Sequence, residues 1–383
     1  MVTTRPAPLA AAPAAEPRTP ARPRLHALDG VRFLAAAGVV LYHFVARWHT
    51  GWGEAPGERF PVLGHVATYF ALAPELFFVV SGFVILWTAW GRSVPQVAAS
   101  RLARIYPAYW TALALTSLLL LVLWRDGKQV SLGEVAVNAT LLQELVGVRH
   151  VDGVYWTLWV ELRFYALVLL LVAVGVTRSR VLAFAGLWPV AGLAAELSGA
   201  HVLQEVLISR YAPLFAGGML LYLIHRDGHA RLPWALVGLN VAIALSTIVP
   251  AQMGSLSRNT VFEPNPWILA ALTVGCFATV AVVALTRVSQ VSWAPLAALG
   301  ALTYPLYLVH EYWGWWAIAQ LSAHLPTYVT LGVAVVLSVA LAAALHHAVE
   351  RHAAPWARRR LEELLGARSA PRRRTVGFRP QTA

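Results

Sequence analysis

Lysine and cysteine are almost missing from this chain: 383 residues hold one of each, Lys128 and Cys276. A lone cysteine excludes an intrachain disulfide and any multi-cysteine metal site. Charge is scarce as well, at 13% of residues against roughly 25% in an ordinary soluble domain. Residues 1–27 lack the uninterrupted apolar stretch of a signal peptide, because prolines at 6, 8, 13, 17, 20 and 23 break it. That segment reads as a disordered cytoplasmic tail.

What the chain does have is apolar surface, 58% of its residues, and 16 tryptophans. A water-soluble globule cannot hide that much apolar side chain, whereas indole rings suit the membrane interface. Runs long enough to span a bilayer fall near 31–49, 66–90, 105–124, 154–176, 179–198, 203–225, 233–250, 265–286, 294–317 and 326–348. The expected fold is therefore all-α, a polytopic bundle of about ten transmembrane helices spanning residues 28–350. A basic cytoplasmic tail follows at 351–383.

The net charge of +12 raises the question of nucleic acid. No basic helix, aromatic sheet motif or zinc spacing accompanies it, so nucleic acid is not an expected partner and no metal is called for. With the N-terminus inside, 21 of the 30 basic residues fall on the cytoplasmic side. That asymmetry is the signature of membrane topology, with both termini cytoplasmic in the cell membrane. Arg358, Arg359 and Arg360 are placed to meet anionic lipid headgroups. The long outer connection, roughly 125 to 153, reads as a loop with a short surface helix.

Titratable residues inside apolar runs are costly there and so are informative. The first run, LDGVRFLAAAGVVLYHF, carries Arg32 and, eleven positions on, His43. Eleven helical steps return His43 to within ~20° of the Arg32 face and ~16 Å deeper. An interfacial arginine can hold a phosphate, and a midmembrane histidine can take a proton from a hydroxyl. Taken alone, the pair serves equally as a topology anchor and an interhelical hydrogen bond. In APELFFVVSGFVI, Glu75 lies near the depth of His43 and is the expected carboxylate to orient it, while Ser81 and Gly82 read as packing residues. Arg101 and Arg104 in RLARIYPAYW share one side of a helix, either as a clamp for a phosphorylated donor or as anchors. YWTLWVELRFY offers Glu161 and Arg163, which point about 200° apart and need separate partners. Glu161 is the functional candidate of the two. LTYPLYLVHEYW places His310 near the outer end of a proline-containing helix, as a second candidate beside Glu161 for the substrate side.

These motifs, in this order and across roughly residues 25–357, resemble the acyltransferase-3 family of membrane O-acyltransferases. The resemblance rests on the R-x10-H of Arg32 and His43, on ELFFVVSGFVI, RLARIYPAYW, YWTLWVELRFY and YPLYLVH, and on the ending VERHAAPWARR. It implies an acyl-CoA donor, acetyl-CoA being expected, and an acceptor hydroxyl on a cell-envelope glycan, a macrolide or a similar natural product. By motif matching, Arg32 and His43 take the family's essential Arg and His positions and Arg101 and Arg104 its paired arginines; the expected mechanism has Arg32, Arg101 and Arg104 hold the donor, His43 act as base with Glu75, and Glu161 and His310 meet the acceptor. Trp159 and Leu162-Arg163 depart from the family's usual WSLSVE-like pattern. A proton-coupled transporter is the alternative, since intramembrane His, Glu and Arg also build relays. That class favours internal repeats, and the sequence displays none.

Overall fold

The computed structural model describes residues 25–366, so most of the expected N-terminal tail, and the chain beyond Gly366, lie outside the described residues. Among the described residues there is no β-strand, only an isolated antiparallel bridge between Arg47 and Thr260. Each of the ten apolar runs is a helix. They are α1 His26–Ala46, α2 Leu63–Ala89, α3 Val94–Leu123, α4 Gly153–Val174 and α5 Arg178–Ser198, then α6 His201–Asp227, α7 Arg231–Asn259 and α8 Pro266–Leu285. α9 Ala294–Leu321 and α10 Thr327–Leu364 complete the set.

Nine of these are long and apolar enough to cross a membrane. The exception, α9, has 28 residues, about 42 Å of helix, so length is not what sets it apart. Its sequence carries tyrosine, histidine, glutamate and tryptophan through the middle, and those residues are buried against neighbouring helices. The polar content of α9 faces protein, which is where an intramembrane polar group is tolerated.

Several boundaries differ from the apolar runs, among them the end of α7, at Asn259 where the run stopped near 250, and two that bear on the site. α3 begins at Val94 because Ser93 and Gln96 form a reciprocal capping box, which puts Arg101 and Arg104 inside the helix. α10 passes through a π-helical turn at His346–Glu350 and continues to Leu364, where apolarity alone ended it near 348. The connection after α3 contains the expected short helix, Leu132–Asn138, started by a Ser131/Glu134 capping box.

α6 is the hub. From Ala212 to Ile224 every residue is buried, and the helix packs against α2, α5, α7 and α8. Glycines make the α2–α6 approach possible: a Cβ on Gly82 would lie 2.0 Å from the Phe215 carbonyl, and one on Gly218 would lie 2.0 Å from that of Val79. Small residues thus let two backbones touch, as expected of Gly82. α1 packs against both α9 and α2, so the first helix stands between the α9–α10 pair and the α6 group. The last stretch of α10 packs beside the start of α3, and Arg32 near the start of α1 shares a cavity with Arg104 of α3, so α1 begins and α10 ends at one end of the bundle, called the terminal side.

Candidate active site

Among the described residues, two adjoining cavities hold most of the candidate site residues. The larger, about 510 Å³, is lined by Arg32, Arg101, Arg104, Glu161, Tyr165 and His346, among others. The smaller, about 250 Å³, is lined by His43, Arg47, Glu75, Arg210, Tyr211 and Gln252, among others. Pro74 and Tyr307 line both. The two cavities therefore adjoin at Pro74 of α2 and Tyr307 of α9, the neck between them.

The three arginines of the larger cavity are held differently. Arg104 pairs with Glu350, which also accepts from His346 Nδ1 at 2.9 Å, and its guanidinium stacks over Tyr304 at 5.4 Å. Arg32 stands 4.0 Å from Asp29, one helical turn back. Arg101 bonds only hydroxyls, Thr88 Oγ1 at 3.1 Å and Ser100 Oγ at 3.4 Å, and among the described residues no carboxylate lies within ion-pair distance. Its charge is the one most available to an anionic ligand. Below them, Glu161 accepts from Tyr165 at 2.7 Å and from Ser81 at 3.2 Å. Glu161 thus belongs with the arginines, away from the His43 cavity. Arg163 faces elsewhere, bonded to Glu205 at 2.5 Å.

His43 sits in a π-helical turn, Tyr42–Ala46, that ends α1. Such a turn widens the helix by a residue and leaves carbonyls without the usual partner, a distortion common at functional sites. Two buried indoles take up the slack: Trp315 Nε1 donates to the His43 carbonyl at 2.9 Å, and Trp52 Nε1 donates to that of Phe44 at 2.7 Å. These tryptophans brace the site instead of lying at the membrane interface.

The hydrogen bonds assign the tautomers. His310 Nδ1 lies 2.9 Å from the Tyr307 carbonyl and 3.1 Å from that of Leu306. Carbonyls only accept, so in the neutral ring Nδ1 carries the proton and Nε2 accepts. His43 Nδ1 faces that Nε2 at 3.2 Å and the Val39 carbonyl at 2.9 Å, and so donates as well. The unprotonated nitrogen of His43 is Nε2, a base on the wall of the smaller cavity.

His310 itself is fully buried and lines neither cavity. Expected on the substrate side, it stands behind His43, because the π turn and the α9 register bring the two rings edge to face at 4.9 Å. Glu75 shares the cavity with His43, but its hydrogen-bonding partner is Gln252, at 2.7 Å; the other carboxylate oxygen is buried without a partner. The carboxylate nearest His43 Nε2 is Glu311, 3.9 Å away.

A family model described as an acyltransferase domain matches residues 25–347. The chain belongs to the acyltransferase-3 family. No curated protein and no solved structure matches it. The family match covers α1 through α9 and most of α10, so both cavities lie within it, and the protein is a multi-pass membrane acyltransferase.

The sequence motifs that carried the family resemblance meet in space: Arg32, Arg101 and Arg104 in one cavity, His43 beside the next, with Tyr307 of YPLYLVH between them. Sequence reasoning gave Glu311 no role and overlooked Asp152, Tyr307 and Gln252. Glu311 did leave a signal, as a carboxylate in an apolar helix directly after His310. Asp152 left none, being one more acid in a polar loop. The structure buries it completely at the start of α4, where burial, with Glu311 beside it, pushes its carboxyl well above the usual range.

Proposed function

We propose that this acyltransferase moves an acyl group, expected to be acetyl or another short chain, from acyl-CoA to a hydroxyl of a carbohydrate or a glycosylated or polyketide natural product. The observation that carries the reading is the pairing of an arginine-lined cavity with a histidine-lined one across the Pro74–Tyr307 neck. Phosphates on the donor would be met by Arg101, Arg104 and Arg32, whose forked guanidinium groups match phosphate oxygens. A volume near 510 Å³ suits part of a large ligand such as CoA, whose thioester would then point toward the neck.

On the other side, an acceptor hydroxyl next to His43 Nε2 gives up its proton as its oxygen attacks the thioester carbonyl. The carbon–sulfur bond breaks, the thiolate leaves as the new ester forms, and the imidazolium returns the proton to sulfur. His310 keeps His43 in the reactive tautomer. Glu75, with an unpartnered oxygen and Gln252 at its side, would accept from a second hydroxyl of the acceptor.

The basic residues support a cytoplasmic terminal side in the cell membrane, which puts the arginine cavity where acyl-CoA is made. Arg358, Arg359 and Arg360 on the end of α10 would meet anionic headgroups, although Glu362 and Glu363 already pair with the first and third.

The test is acyl transfer itself. Membranes from cells with and without the protein are incubated with labelled acetyl-CoA, and the lipid and glycan fractions are analysed by mass spectrometry. Label appearing as an ester only where the protein is present supports the reading; equal labelling in both rejects it.

A further inference from the structure

Glu311 is among the most deeply buried charged side chains of the protein, with 1% of its surface exposed, and it lines neither cavity. Isolating a carboxylate inside a membrane bundle costs several kcal/mol unless neighbours compensate it, so its surroundings indicate what it serves. Following His310 by one residue, it is turned about 100° around α9, toward α1 and the start of α4. Oε1 stands 3.9 Å from His43 Nε2 and 3.8 Å from Arg47 Nε; Oε2 accepts the Val154 N–H at 3.1 Å. The chain closes directly over the carboxylate at Gly153, where a Cβ would lie 2.7 Å from Oε2. Behind it is Asp152, wholly buried, with Oδ2 unpartnered.

The 3.9 Å gap has a chemical meaning. Nε2 is the unprotonated nitrogen of His43, and at 3.9 Å the carboxylate beside it is within ion-pair reach but too far for a hydrogen bond. Once Nε2 holds the proton taken from the acceptor, the ring is cationic and the carboxylate 3.9 Å away stabilises it by charge, while the N–H stays directed at the cavity. The attraction therefore appears only in the protonated state of His43, the state that exists during transfer.

We propose that Glu311, backed by Asp152 and held by the Gly153–Val154 backbone, is the positioning carboxylate of the site, acting on the imidazolium that His43 becomes. This is the part expected of Glu75, and it rests on the acyl-transfer reading. Glu75 remains on the cavity wall to meet the acceptor.

Glu311→Gln tests the proposal, because the amide keeps the shape and an acceptor for the Val154 N–H while removing the charge. With labelled acetyl-CoA and native membranes as acceptor source, kcat per folded protein is expected to fall about 10²-fold or more, with KM for acetyl-CoA within about twofold. Glu311→Asp is expected to recover part of the loss. Gly153→Ala, which displaces the carboxylate without altering its charge, is expected to lower kcat in the same way and keeps the test open if Glu311→Gln fails to fold. Unchanged kcat in Glu311→Gln or in Gly153→Ala overturns the assignment, as does a loss carried equally by KM. A wild-type protein that transfers no label refutes the acyl-transfer reading itself, a different outcome from an active wild type matched by its Glu311→Gln variant.

Discussion

His43 Nδ1 and His310 Nε2 face each other at 3.2 Å, and the direction of that contact is set by the carbonyls on the far side of His310. The donor–acceptor order runs from His43 to His310 to the α9 backbone, which fixes the basic nitrogen of His43 on the cavity side.

Replacing His43 by Ala is expected to lower labelled acetyl transfer by about 10²–10⁴-fold, the range of a lost general base. His310→Gln, whose amide offers both an acceptor for His43 and a donor for the α9 carbonyls, should retain more activity than His310→Leu. Initial rates with labelled acetyl-CoA, normalised to protein in the membrane, give the comparison. Equal activity of the two His310 variants would show that the ring only fills space.

Arg101 and Arg104 should separate in their effects. Arg101 has hydroxyl partners only, so Arg101→Gln is expected to raise KM for acetyl-CoA about 10- to 100-fold, the equivalent of one charge-assisted hydrogen bond, with little loss of stability. Arg104→Gln strips the buried Glu350 of its guanidinium partner and should lower the melting temperature in detergent as well. Steady-state kinetics beside thermal unfolding of both variants decides the matter.

Gly82 permits the contact of α2 with the Phe215 carbonyl on α6. Gly82→Val must push the helices apart, and a loss of about 1–3 kcal/mol or more is expected from overpacking at backbone contact. The variant should unfold at a lower temperature in detergent and accumulate poorly in membranes, whereas Gly238→Ala, with open space around its Cβ, should do neither.

Stability should also depend on pH through His49, in the loop after α1. Burial lowers its pKa to about 4, and its Nδ1 accepts the Gly51 N–H at 3.2 Å while the ring stacks on Trp315. A base depressed in the folded state gains no proton there, while the unfolded chain does so below its ordinary value of about 6.5. Stability is thus full above that value and falls as the pH drops toward 4, by up to about 3 kcal/mol. His49→Asn, which keeps an acceptor for Gly51, should flatten the dependence of melting temperature between pH 7 and 4.5.

The helix count was legible because the bilayer imposes a length and an apolarity that a sequence cannot conceal. α9 shows the limit of that signal: its polar residues lower its apolarity because they face the site. The arginine cavity was legible for a related reason, since charges in apolar runs are few. Partner choice was not. Glu75 and His43 were expected at similar depth and do share a cavity, but depth fixes one coordinate, and the rotation that turns Glu75 toward Gln252 comes from helix packing. Glu311 was hidden by its neighbour, because at one step apart two residues face different helices. The π turns at Tyr42–Ala46 and His346–Glu350 add a residue to the register, and no 3.6-residue periodicity anticipates them.

The neck shared by Pro74 and Tyr307 bears on inhibitor chemistry. Two cavities that adjoin at Pro74 and Tyr307 invite a single molecule with an anionic head for the arginines, a slender linker past Tyr307 and a hydroxyl-bearing tail beside His43. Joining the halves replaces a second independent binding event by one at a millimolar-range effective concentration, provided the linker fits the neck. Tyr307 would then set the permissible width of such a compound, and a series of linkers of graded thickness would gauge how far its ring yields.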